Sequence, residues 1–439
     1  LRQGAKGLAG LLVGAALAVL AVLLYLRLAA DAEIAERVLR SIDLPVSAFE
    51  LEELQGDSVA VVSAADVLIR TEGGDTVVAA PTARLRIRLS SLAGDGPMVV
   101  DEVRLQRPFL NLVQAPDGEF NLTQAMVVTA GGEEVGGGEG GRAIELRDVR
   151  LQDARVRVLT PFVPDSVGAP EPPGLRLVRS GGVVMRERWA RDLDARLTRV
   201  RFGGGEGWQV DVGALTATLT DPQTRVANLA GSARQTSDGA IAFDVRELRT
   251  DASSLLASGT VRFADAGPVL DVEASAQPLA FEDLRWLLPQ LPEEGEARGQ
   301  VAISGGGDGR YTMAASGLEV AVGDSRVTGF LSATVGGEED AVFGDTYLLF
   351  SPLRIETIRS FGLPIDLPYT GEIRGLVTSA GGPLASGPSL NLDLTATFAP
   401  EAGNVPTSTV FLEGPIAVGP GMEFRVEGVS VAFQPIHLA

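Results

Sequence analysis

Thr82-Ala83-Arg84-Leu85-Arg86-Ile87-Arg88-Leu89 decides the reading of this chain. Ala83, Leu85, Ile87 and Leu89 occupy one parity; Thr82 and three arginines occupy the other. A period of two puts alternate side chains on opposite faces of an extended strand, so one face is apolar and the other is wetted. Far downstream, Leu390, Leu392, Leu394, Ala396 and Phe398 alternate in the same way with Asn391, Asp393, Thr395 and Thr397. Val210, Val212 and Leu215 mark another such run between them. Gly73-Gly74-Asp75, Asp117-Gly118, Asp238-Gly239 and Gly381-Gly382-Pro383 punctuate the runs as turns. No alternation of strands with long helices is visible, which argues against a doubly wound sheet.

Composition agrees. The 439 residues include 53 glycines and 25 prolines, yet 45% are hydrophobic, too many for a disordered chain. Many short strands joined by glycine-rich turns produce this balance. The formal charge of −20 argues against nucleic acid, whose phosphates need a basic patch. Without cysteine there is no disulfide, thiol nucleophile or cysteine-held metal. A lone His437 leaves no histidine-based triad or metal site. No G-x-S-x-G, H-E-x-x-H or P-loop occurs. Acidic pairs such as Glu293-Glu294 and Glu338-Glu339 lie in turns and read as solubilising charges. The expectation is a protein that is not an enzyme and uses no cofactor and no metal.

The N-terminus carries a different signal. Gly7 to Leu26 is twenty residues without a charge. At about 1.5 Å rise per residue a helix there spans about 30 Å, the hydrocarbon thickness of a bilayer. Gly7, Leu12, Leu17, Leu20, Leu24 and Leu26 are its candidate anchor residues. Arg2 and Lys6 precede it and Arg27 follows, which favours a cytoplasmic N-terminus. Ala30-Asp31-Ala32 could serve as a signal-peptide cleavage site, but the apolar run exceeds the usual length for one. Ile34, Val38, Leu39 and Ile42 fall on one helical stripe, so residues 31–43 read as an amphipathic helix after an anchor region at 1–30.

Residues 44–130 read as a first β region and 144–250 as a second. The Gly/Glu-rich stretch at 131–143 separates them; its GxGxxG spacing (Gly136, Gly138, Gly141) lacks the strand and helix a dinucleotide site needs. The downstream part compares with itself. Leu256 to Phe263, Gln277-Pro278-Leu279-Ala280-Phe281 and Gly299-Gln300-Val301 recur as Arg326 to Leu331, Ser351-Pro352-Leu353-Arg354-Ile355 and Gly375-Leu376-Val377. Each copy predicts a short amphipathic helix, with Phe281, Leu284 and Leu287 or with Ile355, Ile358 and Phe361 on its apolar side. Repeats are therefore expected at 251–321 and 322–400, with a partial third at 401–439. A third copy that stops at Ala439, before its helix, gives the expectation of a fragment of a longer protein.

Asp101 to Leu112 (DEVRLQRPFLNL), followed by Ala115 to Leu122 (APDGEFNL), resembles the start of proteins of the AsmA/TamB family. Ser63-Ala64-Ala65-Asp66-Val67, Ser91-Leu92, Ala143 to Leu151 and Asp153-Ala154-Arg155-Val156 fit the same resemblance, as does a single N-terminal anchor. The Gly/Glu insertion at 131–141 and the absence of a recognisable C-terminal module depart from it.

The resemblance implies a mainly β fold like that of chorein-type bridge proteins: an N-terminal transmembrane helix, then an elongated, curled antiparallel β-sheet forming an open groove, with a few short amphipathic helices. It further implies a single-pass protein of the bacterial inner membrane with its body in the periplasm. The apolar groove would serve phospholipid transfer or outer-membrane assembly, with phospholipid, the membrane and an outer-membrane barrel as partners. Leu85, Ile87, Leu89, Val210, Val212, Leu392, Leu394 and Phe398 are the candidate groove residues. The alternative is a non-catalytic scaffold that stabilises a larger integral membrane complex, an energy-transducing one included. Packing against the rest of a closed β structure is the competing role for Ala83, Leu85, Ile87 and Leu89, a solvated outer face that for Arg84, Arg86 and Arg88, and support of a hairpin that for Asn121.

Overall fold

The computed structural model describes residues 46–433, with the main internal breaks at 116–120, 122–142, 163–174, 286–290, 337–341, 362–368, 380–388, 401–406 and 419–423. The candidate anchor at 7–26, the stripe at 31–43, the GxGxxG glycines and Leu89 lie outside the described residues. Among the described residues no helix is long and apolar enough to cross a membrane. The chain divides into two compact units, one ending at Asp251 and the other beginning at Ala252.

In the first unit, β1 (Val46–Leu54), β2 (Asp57–Arg70) and β3 (Thr76–Arg88) form an antiparallel meander. A one-turn helix, α1 (Ser90–Ala93), leads into β4 (Met98–Gln106) and β5 (Phe109–Val113), which share one column beside β3. Ser91 secures that turn: its hydroxyl donates to the Arg88 carbonyl at 2.6 Å and accepts from the Val99 amide at 3.0 Å. The next column is β6 (Ile144–Pro161), and it runs parallel to β4 and β5. The other pairings are antiparallel, as expected, and this column is the exception. The reason lies in the connection: with β3 already on one side of β4 and β5, the chain returns through residues 114–143 before adding a strand on the other, and a long return is what parallel pairing requires. Antiparallel order then resumes through β8 (Val183–Phe202), β9 (Gln209–Thr220), β10 (Gln223–Gln235) and β11 (Ile241–Thr250). A short β7 (Leu177–Ser180) pairs with the start of β8.

A crease crosses these strands. Asp66, Arg107, Asp153 and Asp192 have φ of 52°, 48°, 51° and 50°. The register places Pro81 opposite both 66 and 107, and 107 beside 153, so the left-handed residues of β2, the β4/β5 joint and β6 line up. Aspartate tolerates this conformation because its short side chain can bond locally. Here the Asp194 carboxylate accepts the Asp153 amide at 3.0 Å.

The second unit is an antiparallel meander of β12 (Ser254–Ala264), β13 (Gly267–Ala280), β14 (Glu296–Gly305), β15 (Arg310–Val322), β16 (Ser325–Gly336), β17 (Val342–Arg354), β18 (Tyr369–Ser379), β19 (Ser389–Pro400) and β20 (Ser408–Val418). Two short strands, β21 (Phe424–Val426) and β22 (Ser430–Phe433), pair with opposite ends of β20.

The repeat is visible in this unit as two matching brackets. After β13 the chain makes a 3₁₀ turn at Phe281–Asp283, and after β17 a helix, α2 (Ile355–Ser360). The Ser253 hydroxyl accepts the Ala280 amide at 2.9 Å and bonds Asp283 at 2.6 Å; Ser325 accepts the Arg354 amide at 2.8 Å and bonds Thr357 at 2.7 Å. Both serines are buried, as are Phe281 and Ile355 at the first helical position of each copy. The predicted helix in the first copy is thus a single turn among the described residues, and Leu287 lies outside them.

Candidate functional site

The period-two pattern gives each unit one apolar face, and the two faces differ in their access to water. In the first unit, Val78, Leu85 and Ile87 of β3, Val103 and Leu105 of β4, Leu110 and Leu112 of β5, the alternate residues of β6 from Ile144 to Val158, Leu197 and Val200 of β8, and Val210 and Val212 of β9 form one buried cluster. Leu105, Leu146 and Leu151 are no more than 1% exposed. The candidates Leu85, Ile87, Val210 and Val212 therefore stand together inside a packed core.

The opposite face of the first unit carries a lattice of ion pairs that bridges strands. Arg88 makes a two-pronged bond to Asp101 at 3.0 and 2.9 Å. Glu102 lies between Arg86 and Arg104, Asp148 between Arg150 and Arg196, and Glu145 beside Arg147. Burial of the Asp148 carboxyl disfavours its charge, but the hydrogen bonds from Arg150 and Arg196 prevail and hold it below the usual carboxylate range. Arg86 and Arg88 are thus tied to carboxylates, while Arg84 is exposed.

At one end of the unit the charges move to the apolar side. Ala190, Arg188 and Arg186 pair with Val156, Val158 and Thr160, so the two arginines continue the row of the core. Arg186 grips both oxygens of Asp221, in the β9–β10 turn, at 2.5 and 2.6 Å. Arg188 reaches the same carboxylate only at 3.4 Å. Burial, reinforced by the neighbouring Arg186 charge, pushes the Arg188 guanidinium below its ordinary range, and Asp221 offsets this only in part. On the other face Glu187 is held between Arg157 at 2.7 Å and Arg176 at 2.8 Å. Burial works against its charge too, yet the Arg157 hydrogen bond keeps its carboxyl below the usual range. Nothing in the alternation of Val183 to Ala190 announced this cluster, because the arginines occupy positions that the pattern assigns to core.

In the second unit the apolar row runs through Val261 and Phe263, Leu270 and Val272, Val301 and Ile303, Met313 and Ala315, Leu331 and Ala333, Leu348 and Phe350, Val377, and Leu392 and Leu394, which the strand register places on one face. Phe263 is 44%, Val301 37% and Met313 38% exposed. Leu394 is buried; Leu392 and Phe398 are half-buried, and Phe398 packs edge-on against Tyr369 at 5.3 Å. The reverse face mixes Ser and Thr with charged residues and carries Phe330 stacked on Tyr347 at 5.8 Å, with Leu349 beside them, all three exposed. A surface cavity of about 640 Å³ opens where β13 and β15 bulge on either side of β14, lined by Gln277, Pro278, Arg298, Gly299 and Gly317 among others.

Glycine separates the units, and this signal was available in the sequence. The described strands of the first unit hold two glycines, Gly213 and Gly231, and those of the second hold eleven. Gly299 and Gly375 are repeat equivalents, each following an arginine that pairs with a glutamate two residues earlier: Arg298 with Glu296 at 3.1 Å, Arg374 with Glu372 at 2.7 Å. Their φ values of 139° and 128° belong to a region that only glycine adopts readily. Asn121 makes no such contribution to the apolar face: its side chain bonds the Val113 amide and the Asn111 carbonyl, both at 2.9 Å, and continues the edge of β5.

No group of three potential metal ligands occurs among the described residues. No protein-family model, no curated protein and no solved structure matches this chain.

Proposed function

We propose that this chain is a membrane-anchored envelope protein of the AsmA/TamB type, which shelters the acyl chains of phospholipids on the apolar face of its strands. Gly7 to Leu26 would hold it in the bacterial inner membrane, with the β body in the periplasm. The observation that carries the reading is the apolar row of the second unit, which runs from β12 to β19 and is still wetted at Phe263, Val301 and Met313. Exposed apolar area on this scale is costly unless something covers it. A diacyl lipid drawn into water exposes about 30 methylenes at about 0.8 kcal/mol each, roughly 25 kcal/mol, and an apolar row removes much of that cost. Transfer along such a row needs no nucleophile and no metal, in keeping with the residue inventory.

A photoreactive amino acid at Met313, Val301 or Leu392 is expected to crosslink phospholipid in cells, while Thr312 and Asp393, on the reverse face, give none. Lipid adducts absent from all three inner positions, or equal on both faces, would overturn the reading. Leu85 and Ile87 are unsuitable probes, because a bulky side chain there would disrupt the core. The scaffold reading draws its support from Phe330, Tyr347 and Leu349, whose exposed rings and side chain suit a protein contact. Under that reading, Phe330→Ser with Tyr347→Ser releases the chain from a larger complex and leaves lipid adducts unchanged.

A further inference from the structure

We propose that Arg188, with Arg186 beside it and Asp221 between them, is a binding site for a phosphate ester at the end of the first unit's apolar face. The argument is one of unequal partners. Asp221 has a side chain 1% exposed, and both of its oxygens are taken by Arg186. Arg188 is left with a 3.4 Å approach to one of those oxygens and has no other partner among the described residues. Its side chain is nonetheless only 15% exposed, and that of Arg186 only 14%. Two guanidiniums therefore share one carboxylate out of bulk water, an arrangement that burial penalises unless a second anion completes it.

The surroundings strengthen the case. In a chain of net charge −20, Arg186 and Arg188 share the single carboxylate of Asp221 on this face, and on the opposite face Arg157 and Arg176 share the single carboxylate of Glu187. A local cationic field in an acidic molecule draws anions to one place. Guanidinium presents parallel N–H donors that match two phosphate oxygens, which a carboxylate already engaged elsewhere cannot do for Arg188. The row behind Arg188 is apolar: Ala190, Val156, Val158, Leu110 and Leu112. Those residues are at most 4% exposed, so the headgroup of a phosphate ester would lie at the arginines while its chains stay outside the packed row; free phosphate would use the same donors without the chains. The lipid form of this inference rests on the function proposed above.

The test uses the whole purified chain and three probes: dihexanoyl phosphatidic acid, dihexanoylglycerol and inorganic phosphate. Wild type is expected to bind the phosphatidic acid at least fivefold more tightly than the diacylglycerol. Arg188→Gln is expected to erase that preference and leave diacylglycerol binding unchanged. Arg188→Lys, which keeps the charge and loses the fork, is expected to retain part of it. If R188Q does not fold, the wild-type preference and its reduction in R188K decide the matter. A preference that persists in full in both variants, or no preference in wild type, overturns the proposal. Equal binding of both lipids would sink this site and spare the lipid reading. Binding of phosphatidic acid and inorganic phosphate alike, with none of diacylglycerol, would keep the site, assign it to the free anion and count against the lipid reading.

Discussion

Leu105, Leu146 and Leu151 of the first unit are no more than 1% exposed, whereas Phe263, Val301 and Met313, in the corresponding row of the second, are 37–44% exposed. Both rows come from the same alternation of apolar and polar residues. The difference lies in what accompanies it. The strands of the first unit are nearly free of glycine and carry ion pairs of both signs on the reverse face, which bind neighbouring strands to one another. In the second unit, Gly259, Gly299, Gly329, Gly375 and Gly414 interrupt the apolar row itself, and the reverse face mixes Ser and Thr with charged and exposed apolar residues. Each glycine removes a side chain that would otherwise help to cover its neighbours. Alternation therefore makes a face, and side-chain volume on that face determines whether it shuts.

The largest expected effect breaks the closed face. Leu146→Ala leaves a cavity in a fully buried cluster and should cost about 3–5 kcal/mol, read as a lower urea midpoint by the fluorescence of Trp189 and Trp208. Leu392→Ala on the half-buried row of the second unit should cost about 1 kcal/mol or less, read by hydrogen exchange in β18 to β20. Equal losses at the two sites would abolish the distinction between the units.

A smaller effect tests the role of glycine. A Cβ on Gly375 would collide with the Asp393 carbonyl and lie 2.9 Å from the Leu394 Cα, with φ at 128°. Gly375→Ala should cost about 2–3 kcal/mol and loosen the pairing of β18 with β19. Gly74→Ala, in the β2–β3 turn with φ at 83° and nothing within 4 Å of the new atom, should cost about 1 kcal/mol, from backbone strain alone. If Gly375→Ala proves no worse than Gly74→Ala, the open row does not depend on its glycines.

Much of this was legible in the residues. Thr82 to Arg88 and Leu390 to Phe398 are strands with the faces their parity assigns, and the Gln277-Pro278 and Ser351-Pro352 phrases mark the two brackets of the repeat. Three features escaped for physical reasons. Parallel pairing of β4 and β5 with β6 depends on where a long return places its strand, and local sequence does not encode that. The closure of one face and the opening of the other depend on glycines that strand-by-strand reading treats as punctuation. The Arg186–Arg188–Asp221 cluster joins a strand to a turn more than thirty residues away, so neither part is informative by itself.

The smallest expected effect concerns charge, and it should again separate the units. Glu187 and Asp148 in the first unit and Glu372 in the second all have folded-state pKa values below the ordinary range; for Glu372 the Arg374 hydrogen bond is the main cause. A depressed carboxylate stabilises the fold fully above its unfolded pKa, about 4 to 4.5, and that contribution is lost as the pH falls through the folded value. Acid should therefore weaken both units below about pH 4. Glu187→Gln should flatten the acid limb of the first unit's stability profile, because its glutamate is buried between two arginines and an uncharged amide no longer responds to pH. At neutral pH the same change removes one partner of a buried pair and should cost more than Glu372→Gln, whose pair with the exposed Arg374 is worth under about 1 kcal/mol. Thermal unfolding of both variants from pH 3 to 7 makes the comparison. Similar acid limbs for E187Q and wild type would mean that the charges at this end of the first unit contribute nothing to holding its strands.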